Sequence, residues 1–129
     1  MDRSNDELEQ AFASLATGGA GAVIVLGGAR QAAQRPRVAE LALKFGMPTL
    51  SPIRMYVEQG HLMSYGPNLP ASYKLAASYV DRILKGANPG EMPVEQPPVF
   101  ELVINLKTAK ALGLTIPQPL LLRADEVIQ

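Results

Sequence analysis

Ala22-Val23-Ile24-Val25-Leu26 is an apolar run rich in β-branched residues, closed by Gly21 on one side and Gly27-Gly28 on the other. A short run without polar alternation reads as a strand buried on both faces, the mark of a parallel sheet. Parallel neighbours need crossover connections, and the flanks offer helices. Upstream, Ser4-x-x-Glu7 reads as a capping box, and Leu8, Ala11, Phe12, Leu15 and Ala16 recur at helical spacing until Gly18-Gly19 stops the run. Downstream, a second helix is expected from about Pro36, whose missing N–H costs nothing in a first turn, to Phe45. Its apolar face is Val38, Leu41, Ala42 and Phe45, and Gly46 is a natural left-handed stop.

The alternation continues along the chain. Pro48-Thr49-Leu50-Ser51 reads as a second strand, residues 54–59 as one or two helical turns ending at Gly60, and Leu62-Met63-Ser64-Tyr65 as a third strand. Leu69, Tyr73, Ala76, Ala77, Val80, Ile83 and Leu84 then line one face of a long helix, with Lys74, Asp81, Arg82 and Lys85 opposite and Gly86 at its end. Ala87 to Pro98 holds four prolines and reads as an extended linker with a brief edge strand at Val94-Glu95. Phe100-Glu101-Leu102-Val103-Ile104 reads as a strand and Lys107 to Leu112 as a short helix closed by Gly113, and the Leu-rich tail after Pro117 needs cover. Strands alternating with helices argue an α/β fold with an open, mostly parallel sheet flanked by helices.

Composition sets the outer bounds. At 129 residues the chain suits one domain, and its mass predicts a folded surface of roughly 6,600 Å² against about 20,000 Å² unfolded. Hydrophobic content of 47% with 19% charged residues argues against disorder. Twelve basic residues balance twelve acidic ones, so nothing draws the chain to phosphate backbones or anionic membranes. Without Cys there is no disulfide framework, thiol nucleophile or Cys-type zinc site. The run from Ala20 to Ala29 is too short to span a bilayer, and no apolar signal core follows the polar first residues. The chain as written is expected to be soluble and cytoplasmic.

Few residues offer chemistry. Gly18-Gly19-x-Gly21 precedes a strand, the wrong context for a dinucleotide fingerprint, and reads as a helix stop. Gly27-Gly28-Ala29-Arg30 follows a strand, so its backbone N–H groups could approach an anion with Arg30 nearby. His61, the single histidine, reads as a turn residue; it has neither a second His nor clustered carboxylates for a metal, and no Ser sits in a nucleophile elbow. Ser64-Tyr65-Gly66-Pro67-Asn68 joins a strand to the best helix. Ligands of parallel sheets lie beyond the carboxyl ends of strands. There Asn68 offers a helix cap, Tyr65 a flat ring with a hydroxyl, and Ser64 a small donor or acceptor. Gly27 to Arg30 and Ser51 to Arg54 would face the same crevice, which on this reading holds no carboxylate to neutralise an ammonium group.

Val57-Glu58-Gln59-Gly60-His61-Leu62-Met63-Ser64-Tyr65-Gly66-Pro67-Asn68 resembles the back half of the ABC transporter substrate-binding proteins, in the branch that includes binders of tryptophan and other aromatic amino acids. So do Tyr79 to Pro89, Pro93 to Pro97, Phe100 to Pro117 and Arg123 to Ile128. The resemblance implies a type I periplasmic-binding-protein fold: two α/β lobes, joined by hinge strands, that close on a small solute and deliver it to a permease without catalysis. Residues 1–129 would be a single α/β unit from the C-terminal part, with crossover regions near 52–61 and 87–99. No cofactor or metal is implied, and the location would be periplasmic or a cell-surface lipoprotein. By position, Ser64, Tyr65 and Asn68 match the segment returning toward the cleft, with Gly28, Ala29 and Ser51 as further ligand contacts. A lone part of such a fold has exposed strand edges, so the chain is expected to be marginal, a homodimer by strand exchange, or completed by a missing N-terminal half. Two other readings stand beside it: a cytoplasmic α/β protein binding a nucleotide or phosphorylated metabolite at Gly27 to Arg30, and an interaction remnant that pairs with another subunit.

Overall fold

The computed structural model describes residues 3–28, 32–97 and 99–129. Helix α1 (Arg3–Thr17) leads to β1 (Val23–Ile24), α2 (Arg35–Lys44), β2 (Thr49–Ser51), α3 (Arg54–Glu58) and β3 (Met63–Pro67). Then follow α4 (Leu69–Leu84), a 3₁₀ turn at Pro89–Glu91, β4 (Phe100–Asn105), α5 (Leu106–Ala111), α6 (Gln118–Leu121) and β5 (Glu126–Ile128). The strands join one sheet in the order β1-β2-β3-β4-β5. β1, β2 and β3 run parallel, β4 runs antiparallel to β3, and β5 runs parallel to β4. The expected α/β class with a mostly parallel sheet is what forms.

The main core lies between the sheet and α1–α2. Phe12, Val25, Val38, Leu41, Ala42, Met47 and Tyr56 are buried together, with Leu8, Phe45 and Ile53 packed at their margin. Phe12 and Phe45 stack with ring centroids 6.1 Å apart, and Glu9 pairs with Arg37 (3.1 Å) and with Lys44 across the same helix seam. Gly46 takes φ +66°, the left-handed stop that lets the chain turn from α2 into β2. Buried polar groups are largely tied to backbone. Thr49 Oγ1 accepts from Leu62 N–H, Thr108 Oγ1 donates to the Gly60 carbonyl, and Asn105 donates to the Val57 carbonyl while accepting from Thr108 N–H.

Several expectations need correction. β1 is a two-residue edge strand, extended by a bond from Val25 N–H to the Leu50 carbonyl, and Ile24 and Leu26 are exposed instead of buried. His61 is fully buried, its ring edge-on to Tyr56 with centroids 5.0 Å apart and its Nε2 3.1 Å from the Arg35 carbonyl oxygen. Burial, reinforced by the nearby Arg35 charge and opposed by that carbonyl, holds its pKa below the ordinary 6.5. Val94-Glu95 forms no strand, and the tail adds β5, whose three residues are too short for pattern reading. No strand among the described residues lies outside the sheet.

Helix α4 is the unusual element. Asn68 caps it by accepting from Ala71 N–H at 2.9 Å, and Asp81–Lys85 pair at 2.8 Å, as the sequence predicts. Yet its apolar stripe is left open: no residue of α4 is buried, and Leu84 is 82% exposed. The arm after it folds back on the helix. Tyr79 Oη donates to the Pro93 carbonyl and accepts from Glu95 N–H, and Arg82 pairs with Glu95 at 3.1 Å while its guanidinium lies 4.3 Å from the Tyr79 ring centre. Val94 on that arm is 99% exposed. The chain exposes 8429 Å², well above the roughly 6,600 Å² of a compact protein of its mass, and α4 with its arm contributes to the surplus.

Candidate functional site

Because β1, β2 and β3 are parallel, their carboxyl ends open on one side of the sheet. Gly27-Gly28 follow β1, Pro52-Ile53-Arg54 follow β2, and Pro67-Asn68 end β3. These ends crowd together. A Cβ on Gly27 would lie 2.9 Å from Ile53 Cδ1, and one on Gly66 would lie 2.0 Å from the Pro52 carbonyl oxygen. Glycine at 66 is therefore what lets the turn after β2 rest directly on β3.

A cavity of about 240 Å³ opens beside the ends of β2 and β3, lined by Ile53, Arg54, Met55, Glu58, Pro67, Leu69, Pro70 and Glu101. Its walls come from β2–α3, from the start of α4 and from β4, which returns beside the point where the chain left. Pro67 pairs with Phe100, and Asn68 N–H donates to the Val99 carbonyl at 2.9 Å. Two adjacent segments thus connect the sheet to α4 and its arm, a hinge-like crossing.

Charge in the cavity centres on Arg54. Its Nε donates to Glu58 at 2.8 Å, its Nη2 lies 2.7 Å from Glu126, and its Nη1 lies 4.0 Å from Glu101. The Glu58 bond first, then the Glu126 pair, raise the guanidinium pKa above its ordinary value against the opposing desolvation. Asn68 Nδ2 donates to Glu101 at 3.0 Å while Asn68 Oδ1 caps α4, so one side chain fixes both the helix start and the carboxylate.

The residues singled out from the sequence separate. Ser51 and Ser64 are register partners on neighbouring strands, both buried; Ser51 Oγ accepts from Ile53 N–H at 3.2 Å, whereas Ser64 Oγ has no partner among the described residues. Tyr65 is 60% exposed and tilts against Phe100 at 5.9 Å. It borders a separate cavity of about 290 Å³ with Leu102, Leu120, Arg123 and Asp125. Asn68 stands at the crevice between the lining residues Pro67 and Leu69. Gly28 is exposed at the end of β1, while Ala29 and Arg30 lie outside the described residues. Chain order alone puts no carboxylate in the crevice; in the fold, Glu58 and Glu101 line it. Glu101 reaches Asn68 across 33 positions of chain through the antiparallel β3–β4 pairing, which local sequence does not reveal. Its signal is that of a lone charge in the otherwise uncharged strand Phe100–Asn105. Among the described residues no group of three or more His, Asp or Glu side chains is placed to hold a metal ion. No described helix is long and apolar enough to cross a membrane.

Residues 2–128 match the family described as ABC transporter substrate binding protein. The chain belongs to that family. A conserved domain protein from Vibrio cholerae O1 biovar El Tor shares 28% identity and superposes with a TM-score of 0.84 over 95% of this chain and 41% of its own. An ABC domain from Streptococcus pneumoniae in complex with L-Trp shares 27% identity, with a TM-score of 0.85 over 96% of this chain and 42% of its own. A ligand-free, open substrate-binding protein with adhesive properties from Clostridium difficile is 24% identical, with a TM-score of 0.70 over 97% of this chain and 41% of its own, and supports the fold. No functionally curated protein matches this sequence. The chain therefore spans about two fifths of the length of these three structures.

Proposed function

We propose that this substrate-binding chain is one part of a two-lobed clamp that grips an amino acid or a similar small organic solute for an ABC importer, with no bond-making of its own. The observation that carries the reading is the crossing at Pro67–Asn68 and Val99–Phe100. The chain leaves the sheet there, builds an amphipathic helix whose stripe is unburied, and returns alongside its own exit. A helix of this kind needs an apolar partner, and a second lobe is the partner that would place the crevice between two bodies. The L-Trp complex of the pneumococcal relative supports an amino acid as the solute. In this role the clamp hands its guest to a permease and works outside the cytoplasm, periplasmic or lipid-anchored, completed by an N-terminal half or by a second copy.

Closure around a solute is an equilibrium shifted by differential affinity, so the part described here binds more weakly than a closed clamp would. A thermal-shift panel of amino acids against nucleotides and phosphorylated metabolites tests the reading. Stabilisation by aromatic or branched amino acids is expected. Stabilisation by nucleotides or phosphorylated compounds alone would favour anion binding at Gly27 to Arg30 and overturn it.

A further inference from the structure

Glu101 is the least compensated charge of the crevice. Its side chain is 12% exposed, yet its contacts are a neutral amide, Asn68 Nδ2 at 3.0 Å, and the Arg54 Nη1 at 4.0 Å. Arg54 directs its Nε to Glu58 and its Nη2 to Glu126, so the guanidinium is shared among three carboxylates. A carboxylate withdrawn from water calls for close donors, and an ionised carboxyl has about four acceptor positions to fill. The side chain opposite it in the β3–β4 register is absent, because Gly66 stands there. Glu101 lines the cavity of about 240 Å³, whose wall is otherwise largely apolar: Ile53, Met55, Pro67, Leu69 and Pro70.

We infer that Glu101 binds the ammonium group of a primary-amine solute, with the apolar wall taking its hydrocarbon part; this rests on the solute-binding reading above. An ammonium is a compact cation with three donors, suited to a carboxylate that already takes one amide hydrogen bond. The excess of carboxylates over the single guanidinium disfavours net anions such as phosphates and deaminated acids relative to a zwitterion or an amine. The class selected is amines and amino acids, against otherwise identical deaminated acids.

Ligand-observed NMR titrations at up to millimolar concentration test this on the full chain. The probe pairs are L-tryptophan with indolepropionate, L-phenylalanine with hydrocinnamate, and L-leucine with isocaproate. At least one amino acid is expected to bind about tenfold or more tightly than its deaminated partner, the range of one charge-assisted hydrogen bond. Glu101→Gln should erase that preference, whereas Glu91→Gln on the exposed 3₁₀ turn should keep it. The wild-type comparison needs no variant, so the inference stays testable if Glu101→Gln folds poorly. Equal binding within every pair, or a preference that survives Glu101→Gln, would overturn the role of Glu101 and leave solute binding standing. Binding of none of the six compounds would overturn both.

Discussion

Gly66→Ala probes the contact that builds the crevice. An added Cβ would sit 2.0 Å from the Pro52 carbonyl oxygen, 2.8 Å from its carbonyl carbon and 3.1 Å from its Cα. To reach even a tight contact the Pro52 peptide must retreat by about 1 Å, and it is backbone, fixed by the β2 ladder before it and by α3 after it. Overpacking against yielding side chains costs about 1–3 kcal/mol, so a clash with held backbone belongs at the upper end or above. We expect a loss of about 3 kcal/mol, or roughly 10 °C in Tm. The same shift moves Ile53 and Arg54, so solute affinity falls as well. Gly21→Ala is the control, because nothing lies within 4 Å of its Cβ position, and its stability should change by less than about 0.5 kcal/mol. Urea melts of the two variants against wild type decide the matter. A Gly66→Ala protein as stable as the control would refute the close approach of β3 to the turn after β2.

Three further outcomes follow from the same packing. His61 is buried with a depressed pKa, so the unfolded chain takes up a proton that the folded chain refuses. Its contribution is complete above the ordinary value of 6.5 and is lost as pH falls below it, by at most about 1.4 kcal/mol per pH unit, down to the depressed folded pKa. Urea titrations from neutral pH into the acid range should show a shallower loss for His61→Gln than for wild type, and identical slopes would contradict this. Asn105→Ala removes both the α5 cap and the bond to the Val57 carbonyl, and should cost about 2 kcal/mol in chemical denaturation; a loss below about 0.5 kcal/mol would show those bonds to be dispensable. Leu84→Ser on the open face of α4 should change stability by less than about 0.5 kcal/mol, while Leu41→Ala in the core should cost about 3 kcal/mol. Comparable losses for the two would mean that α4 is covered in solution.

Periodicity and punctuation carried most of the fold. The α2 stripe Val38, Leu41, Ala42 with Gly46 behind it, and the α4 stripe opening at Asn68, are local signals, and both helices form where those signals place them. Periodicity reports amphipathicity, and it does not report whether a partner is present. That is why the exposure of α4 and of Ile24 could not be read from residue spacing. β5 escaped notice because three residues carry no period. Of the stretches expected at the crevice, Ile53, Arg54 and Pro67 line the cavity with Asn68 beside it, whereas Ser51 and Ser64 are buried and Tyr65 borders another cavity. Glu101 was not legible, because only the antiparallel return of β4 brings it beside Asn68.

On the proposed function, a small solute docks in the crevice beside the ends of β2 and β3. Backbone amide shifts of the isotope-labelled chain, followed during titration with the amino acid that raises its melting temperature most, test this directly. Perturbations are expected to concentrate at Gly27, Gly28, Ser51, Ile53, Arg54, Asn68 and Glu101. Perturbations confined to α1 and to the exposed arm at 92–97, with the crevice silent, would contradict it.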